Sequence, residues 1–487
     1  MKILAGFFFA ALVLFNATGG SAAGQDALIV AVGKDEYLTT EATTSLGKYP
    51  LNANIFESLT TFDSRYQLLP CLATDWQQKR DNTWQFRLRR EVKFHDDSPL
   101  DAKAVKTALD RYTLGGDLLS GCKIEVAADD LVEISTPQAN NILPYILSHP
   151  FLSIAKEGKT PIGTGPLQFV SYQRDQFLRV KRYEKYWGEK SSVSEIIFRF
   201  MPDSASRVMA FQAGEIDILA EVPWESLPML QNQDKFRIHA PLPGTYVGIM
   251  VANHGALADP NVCKAISLSL KRSVLLKALW GGFGQPGHTI LPPALLGPFA
   301  GTIPELPYDP QQAKTLLRGQ KPKITLVSGF PNAQLHGELP EILQSQLNQI
   351  GIELNIVKVN DLGLYHTMMR DRQGDLWLER GSINSLDLTF IPYLLFHPNG
   401  YYPTKLHTAS GGDRFSDLLA HARAAKSFED LQRRTALAIN EIVHQQHLFI
   451  PLAILPQLLV SKNTIIIPEP YPTKLAMRWH RIKISTP

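Results

Sequence analysis

The sequence predicts an α/β protein built as two lobes with a cleft between them, and three observations predict it. Strand-length runs, apolar or alternating, take turns with amphipathic helix-length stretches from Ala27 almost to the C-terminus. Residues 338–357 form a helix–glycine–strand unit with Gly351 at the joint, a common building block of layered α/β folds. Strand-like runs return late, at Phe449–Leu455 and at 458–460, which suggests a chain that crosses from one lobe to the other and back. A ligand of such a fold would lie between the lobes, where concave sites concentrate.

Each element has a local reason. Ala27–Val32 reads ALIVAV, a run apolar enough for a buried strand. Residues 84–90 alternate apolar and polar, which fits a strand with one buried face. Asp101 is a helix cap, and residues 102–112 bring Val105, Leu109 and Tyr112 near one face. Residues 177–183 and Glu195–Phe200 are strands. Asp203 caps a helix over 204–213 that Gly214 closes, and 216–219 follow as a short strand. Pro260 opens a helix running toward Arg272. Residues 323–327 are a strand, 338–350 a long amphipathic helix, and 352–357 the next strand. Residues 415–425 and 427–444 are two further helices.

Length and composition set the outer bounds. The 487 residues correspond to about two to four domain-sized units. Net charge is +3 and 44% of residues are hydrophobic, so the composition is that of a globular protein and gives no reason to expect a nucleic-acid partner. The first 23 residues stand apart. Lys2 gives a basic start, residues 3–15 are almost wholly apolar, and 17–23 are mostly small. This is the pattern of a secretory signal peptide, with cleavage expected after Ala23. The apolar run is shorter than the roughly 20 residues that span a bilayer, and no Cys stands at the cleavage point to take a lipid. No later apolar run reaches membrane-spanning length, so the mature chain is expected to be soluble. Cys71, Cys122 and Cys263 match no zinc spacing. They read as small buried hydrophobes, with a Cys71–Cys122 bridge as the alternative in an oxidising compartment.

Several stretches then occur in a telling order. Asn54-Ile-Phe-Glu-Ser-Leu-Thr-Thr-Phe-Asp63 runs on to Leu69-Pro-Cys-Leu-Ala-Thr-Asp-Trp76. Thr83-Trp-Gln-Phe-Arg-Leu-Arg-Arg-Glu-Val-Lys-Phe-His-Asp-Asp is followed by Pro99-Leu-Asp-Ala, with Ser98 where a Gly is usual. Pro161-Ile-Gly-Thr-Gly-Pro166 precedes Tyr183-x-x-Tyr-Trp-Gly188. Arg207-x-x-Ala-Phe-Gln-Ala-Gly-Glu-Ile-Asp-Ile-Leu219, residues 262–293 and Tyr308-Asp-Pro-Gln-Gln-Ala-Lys complete the set. Together, from about Leu28 to Leu459, they resemble family 5 of the extracellular solute-binding proteins, which serve peptide, nickel and related ABC importers. The resemblance implies the type II periplasmic-binding-protein fold in its large family 5 form. Lobe I would take 24–245 and 455–487, and lobe II 246–454, with hinge strands near 243–250 and 449–459. It also implies a periplasmic protein that acts as a monomer, delivers a small molecule to permease subunits in the inner membrane, and does no chemistry of its own.

Several residues read as structural, the two carboxylates among them because of the resemblance. Gly163-Thr-Gly-Pro166 reads as a crossover between strands, Trp84, Phe86, Phe94 and Trp187 as core, and Glu215 and Asp217 as structural carboxylates rather than an acid–base pair. Within the family the likeness leans to the nickel-binding branch, whose segment before the inter-lobe loop has an Arg, six residues and Asp-Pro. Here Arg380 and Asp387 keep the spacing and Leu388 replaces the Pro. Asn384 stands where the peptide-binding branch has an acidic residue for the peptide amine, and a neutral amide cannot supply that ion pair. Ser382 and Leu386 stand where the nickel branch has aromatic residues against its chelate, and its first-lobe Arg falls in 150–153, where there is none.

The expected ligand-binding residues are therefore Arg380, Asn384, Tyr401 and Tyr402. Arg380 is either a planar clamp for a carboxylate or half of a salt bridge within its own lobe. The tyrosines offer flat faces with hydroxyl handles, and His397 and His407 could ligate a metal that arrives with its own chelator, or the whole loop could be solvated. His444 and His447 would share a helix face and read as structural. No resident cofactor is expected; nickel or another metal would enter only as part of a chelate ligand. A peptide, opine or similar small zwitterion is the alternative ligand. An exported hydrolase is disfavoured, since no nucleophile elbow, metalloprotease helix or phosphate-binding loop occurs in the sequence.

Overall fold

The computed structural model describes residues 27–33, 52–113, 119–156, 160–231, 233–329, 337–383, 385–398, 400, 412–468, 471 and 477–485. The expected signal peptide lies outside the described residues. The strands of the first half are β1 (Ala27–Val32), β2 (Thr60–Phe62), β3 (Leu68–Pro70), β4 (Ala73–Arg80), β5 (Thr83–Leu88), β6 (Lys123–Ala128), β7 (Leu131–Ser135), β8 (Leu167–Gln173), β9 (Phe177–Arg182), β10 (Glu195–Phe200), β11 (Ile218–Leu219) and β12 (Phe236–His239). Those of the second are β13 (Thr245–Val251), β14 (Gln285–Pro286), β15 (Lys323–Gly329), β16 (Glu353–Val359), β17 (Leu376–Ser382), β18 (Phe449–Leu455) and β19 (Leu459–Lys462).

Two large sheets form the centres of the two lobes. The first has the order β12-β19-β11-β1-β10-β9-β8, and the second β14-β18-β13-β17-β15-β16. A smaller antiparallel sheet, β4-β5-β7-β6, belongs to the first lobe's side of the chain. In the first sheet β1 runs parallel to both β10 and β11, and Leu28, Val30 and Val32 are buried. In the second, every residue of β13 and β18 is buried, because both faces of the sheet are covered.

The chain passes between the sheets twice. It leaves the first sheet after β12 and enters the second at β13; it leaves the second after β18 and re-enters the first at β19. The passages run side by side, since Gly244 N–H donates to Leu455 O at 3.1 Å. Ile383 N–H donates to Gly244 O at 2.8 Å, which ties the end of β17 to the same place.

The caps work as the sequence indicates. Asp101 accepts from Ala104 N–H at 2.8 Å and starts the helix Ala102–Asp110. Asp203 accepts from Ser206 N–H at 2.7 Å, and Gly214 closes that helix with φ +84°. The crossover glycines admit close backbone: a side chain on Gly163 or Gly165 would collide with the Ile55 or Asn54 carbonyl. Phe86 and Phe94 are buried, and Trp84 and Trp187 pack against the same core. Asp217 accepts from Ile29 N–H at 2.8 Å and pairs with Lys462 at 2.7 Å, while Glu215 pairs with Arg199 at 3.6 Å, so both are structural.

Two helices differ from expectation. The helix from Pro260 stops at Ser269, and a second, Arg272–Trp280, begins after an extended Leu270. The cause is tertiary: Arg272 is buried and donates to Pro451 O at 2.8 Å and Ser267 O at 3.1 Å, which turns the chain there. The last helix runs Phe428–Asn440 and gives way to a π turn, Glu441–Gln445. His447 lies beyond it with φ +53°, its Nδ1 3.1 Å from the Val443 carbonyl, so His444 and His447 do not share a helix face. Cys71 and Cys263 are buried, Cys122 is partly buried, and all three are free thiols, so the Cys71–Cys122 bridge is not formed.

Candidate functional site

The site begins with two neighbouring strands of the second sheet. On β13 and β17, Val247 lies opposite Arg380 and Tyr246 opposite Gly381. Gly381 has no room for a side chain because the Tyr246 hydroxyl would collide with it. The result is a half-buried Arg380 beside a buried phenol. Burial lowers the Arg380 pKa from its ordinary value, and the carboxylates of Glu221 and Glu379 oppose that effect, Glu221 more strongly. Burial and Glu379 push the Tyr246 hydroxyl upward, so it stays protonated and can donate.

Glu221 comes from the other lobe. It follows β11 of the first sheet, and its Oε2 accepts from Gly33 N–H at 3.0 Å, just past the end of β1. A side chain on Gly33 would collide with this carboxylate. Arg207, buried at 1% exposure, donates to the Glu221 backbone carbonyl at 3.4 Å and lies against the same glycine. Glu221 thus stands between an arginine of its own lobe and Arg380 of the other. The expectation left Arg380 as a ligand clamp or a lobe-internal salt bridge; its electrostatic partners come from both lobes, Glu379 on its own strand and Glu221 across the gap.

The remaining segment is mostly structural. The Ser382 and Thr245 hydroxyls lie 3.1 Å apart. Leu386 is fully buried in the core. Asp387 accepts from Thr389 N–H at 2.9 Å and Thr389 Oγ1 at 2.6 Å, so the Arg-to-Asp spacing ends in a turn before the helix Phe390–Phe396. His397 caps that helix at its C-terminal end and stacks on Tyr393 with centroids 4.4 Å apart. Arg423 sits 4.3 Å from the same Tyr393 ring. Burial and the Arg423 charge lower the His397 pKa, which favours the neutral imidazole that a metal needs. Asn384, Tyr401, Tyr402 and His407 lie outside the described residues. Among the described residues no group of three or more His, Cys, Asp or Glu side chains could hold a metal.

Sequence reasoning missed two groups. One is Glu221, whose neighbours come from other strands and from the other lobe. The other is Glu57, 4% exposed, which accepts from Tyr186 Oη at 2.8 Å, Trp187 Nε1 at 2.9 Å and Thr164 Oγ1 at 2.9 Å. Burial raises the Glu57 pKa, and these donors and the Arg478 charge counter it. Glu57, Ser58, Thr61, Cys71, Ser153 and Arg478 line a cavity of about 20 Å³, enough for one water. The signal was present: a lone Glu between Ile55-Phe56 and Leu59, with Gly-Thr-Gly and Tyr-Trp-Gly motifs downstream.

Comparison with known proteins places this architecture. Residues 67–403 match the model of the bacterial extracellular solute-binding proteins, family 5 middle region. The nickel-binding periplasmic protein of Escherichia coli (strain K12) is 27% identical over 364 residues, 66% of this chain and 68% of that one. The glutathione-binding protein GsiB of Salmonella paratyphi A is 26% identical over 471 residues, 88% of each chain. Among solved structures, NikA from Brucella suis in complex with Fe(III)-EDTA superposes with a TM-score of 0.85 at 19% identity, covering 95% of this chain and all of that one. DppA from Helicobacter pylori in complex with the peptide STSA gives 0.79 at 20% identity, covering 94% and 98%. The structural likenesses show the two-lobed fold expected from the sequence. The chain belongs to the bacterial extracellular solute-binding proteins of family 5, which capture ligands for ABC importers and are not enzymes.

Proposed function

We propose that this protein captures a metal–chelate complex, nickel or another transition metal with a carboxylate-bearing chelator, and hands it to its permease in the inner membrane. The observation that carries the reading is the half-buried Arg380 guanidinium in the company of Glu221 from the opposite lobe. A chelator carboxylate would take the planar fork of Arg380, in competition with the Glu221 carboxylate for the same charge. The metal is cargo: His397 would contribute one neutral imidazole, His407, Tyr401 and Tyr402 are the further candidates from the sequence, and the chelator would supply the other ligands. The nickel-binding relative and the Fe(III)-EDTA complex support this class of ligand for this chain.

A second reading has its own support. Arg380 and Glu221 together would also suit a small zwitterion, and the glutathione-binding relative and the peptide complex point the same way. Asn384 weighs against a peptide with a free amine at that position. In either case the lobes are 24–245 with 455–487, and 246–454, and they hinge at the paired passages beside Gly244 and Leu455. The chain loses its first 23 residues on export to the periplasm.

Calorimetric titration with three probes tests the choice: nickel(II) alone, the nickel(II)–histidine complex, and glutathione. The chelate reading expects the complex to bind and the bare ion not to. Tight binding of glutathione with none of the complex would move the assignment to the zwitterion.

A further inference from the structure

The two lobes also touch through aromatic rings that are not among the proposed ligand contacts, one of them, Phe390, on the helix that ends at His397. Tyr145, on the one-turn helix Leu143–Ile146 of the first lobe, stacks on Phe428 at the start of the helix Phe428–Asn440 of the second. Their centroids are 4.5 Å apart and their planes differ by 10°. Beside them, the His149 ring of the first lobe meets Phe390 of the second edge-on at 5.5 Å. Topology assigns the sides: among the described residues the chain passes between the two large sheets after β12 and after β18, with Tyr145 and His149 before the first passage and Phe390 and Phe428 between the two.

These contacts are built rather than incidental. His149 is buried at 2% exposure; its Nδ1 accepts from Phe151 N–H at 3.0 Å, and its carbonyl accepts from Ser58 Oγ at 3.2 Å, which fixes the ring. Burial lowers the His149 pKa to about 3, so the ring stays neutral and presents an apolar edge. Behind the rings the core is continuous from one lobe to the other. Ile142, Leu143 and Leu147 of the first lobe share an apolar cluster with Ile391, Leu395 and Leu431 of the second, and Tyr145, Phe390 and Phe428 pack against it.

We propose that Tyr145–Phe428 and His149–Phe390 form an aromatic clasp that holds the lobes closed without ligand. Opening the cleft separates both pairs and wets their faces, so the clasp sets the closed-to-open ratio before any ligand arrives. A ligand of the closed form then has less closure left to drive, and its apparent affinity is higher in proportion to the closed fraction. The device acts through the lobes and holds whichever ligand class fills the cleft.

The test uses the mature protein, stripped of copurified ligand by reversible unfolding in guanidinium. Spin-label distances across the lobes and small-angle scattering are compared for wild type, Tyr145→Ala, Phe428→Leu and the double variant. Wild type is expected to be mainly closed, and each single change to lower the closed-to-open ratio by about tenfold. The double variant is expected to add little, since the two residues make one contact. Phe428→Leu keeps an apolar side chain on the helix, and unchanged near-ultraviolet dichroism guards against a fold defect. A mainly open ligand-free wild type, variants with the wild-type distance distribution, or fully additive singles would each overturn the clasp.

Discussion

The Trp187 indole nitrogen donates to a buried carboxylate oxygen of Glu57 at 2.9 Å, and Thr164 and Tyr186 complete the set around that carboxylate. Three sequence stretches that look unrelated along the chain therefore meet in one polar cluster under the first lobe. Asn54 supports the same region, accepting from Trp479 N–H at 2.8 Å and donating to Met477 O at 2.7 Å, so the C-terminal segment is tied in as well.

Removing that carboxylate strands its donors. Glu57→Ala leaves the Tyr186, Trp187 and Thr164 donors without the acceptor they share. The expected loss is about 3 kcal/mol, from three buried donors left unsatisfied. Glu57→Gln, which keeps one acceptor oxygen, should lose less. Chemical denaturation of both variants checks the order.

Acid should destabilise the fold through buried histidines. Burial lowers the pKa of His95 to about 4 and of His480 to about 3, as it lowers that of His149. Each has a folded value below its ordinary one of about 6.5, so the unfolded chain binds the proton first as pH falls. Their contribution is fully present above pH about 6.5 and is lost as pH drops toward the folded values, by up to about 1.4 kcal/mol per pH unit for each group. Melting temperature between pH 7 and 4 should fall steadily, and His149→Phe should flatten part of the slope.

Arg380 should matter for binding more than for folding. Arg380→Ala is expected to weaken the ligand by roughly a hundredfold, the worth of a charge-assisted pair in a half-buried site. Arg380→Lys should recover only part, because an ammonium cannot form the two-pronged contact. Titration with the identified ligand reads both.

Glu221→Gln separates the two ligand classes. A chelate that is anionic overall should bind more tightly once the Glu221 charge is gone, while a zwitterion that pairs its ammonium with Glu221 should bind more weakly by about tenfold or more. The sign of the change is the readout, measured by titration at low salt.

Much of the fold was legible because its signals are local. Asp101 and Asp203 cap their helices, Gly214 and Gly351 end theirs, and the alternation in 84–90 marks a strand with one buried face. The breaks at Leu270 and Glu441 were not legible, since distant acceptors such as Pro451 hold Arg272 and decide where the helix stops. Arg380 could be found because its spacing to Asp387 resembles a family pattern. Glu221 could not, because Gly33, Arg207 and Arg380 meet it only in the folded chain. Leu386 shows the converse: its position in the pattern marks a ligand wall, yet the side chain is core.

On the chelate reading, a carboxylate-bearing metal complex occupies the cleft against Arg380. Native mass spectrometry of protein purified from the periplasm without chelators, with metal analysis of the same sample and of Arg380→Ala, tests it most directly. Wild type is expected to carry a stoichiometric bound mass containing nickel or another transition metal, and the variant to lose it. A metal-free bound molecule, or a mass that Arg380→Ala retains, would contradict it.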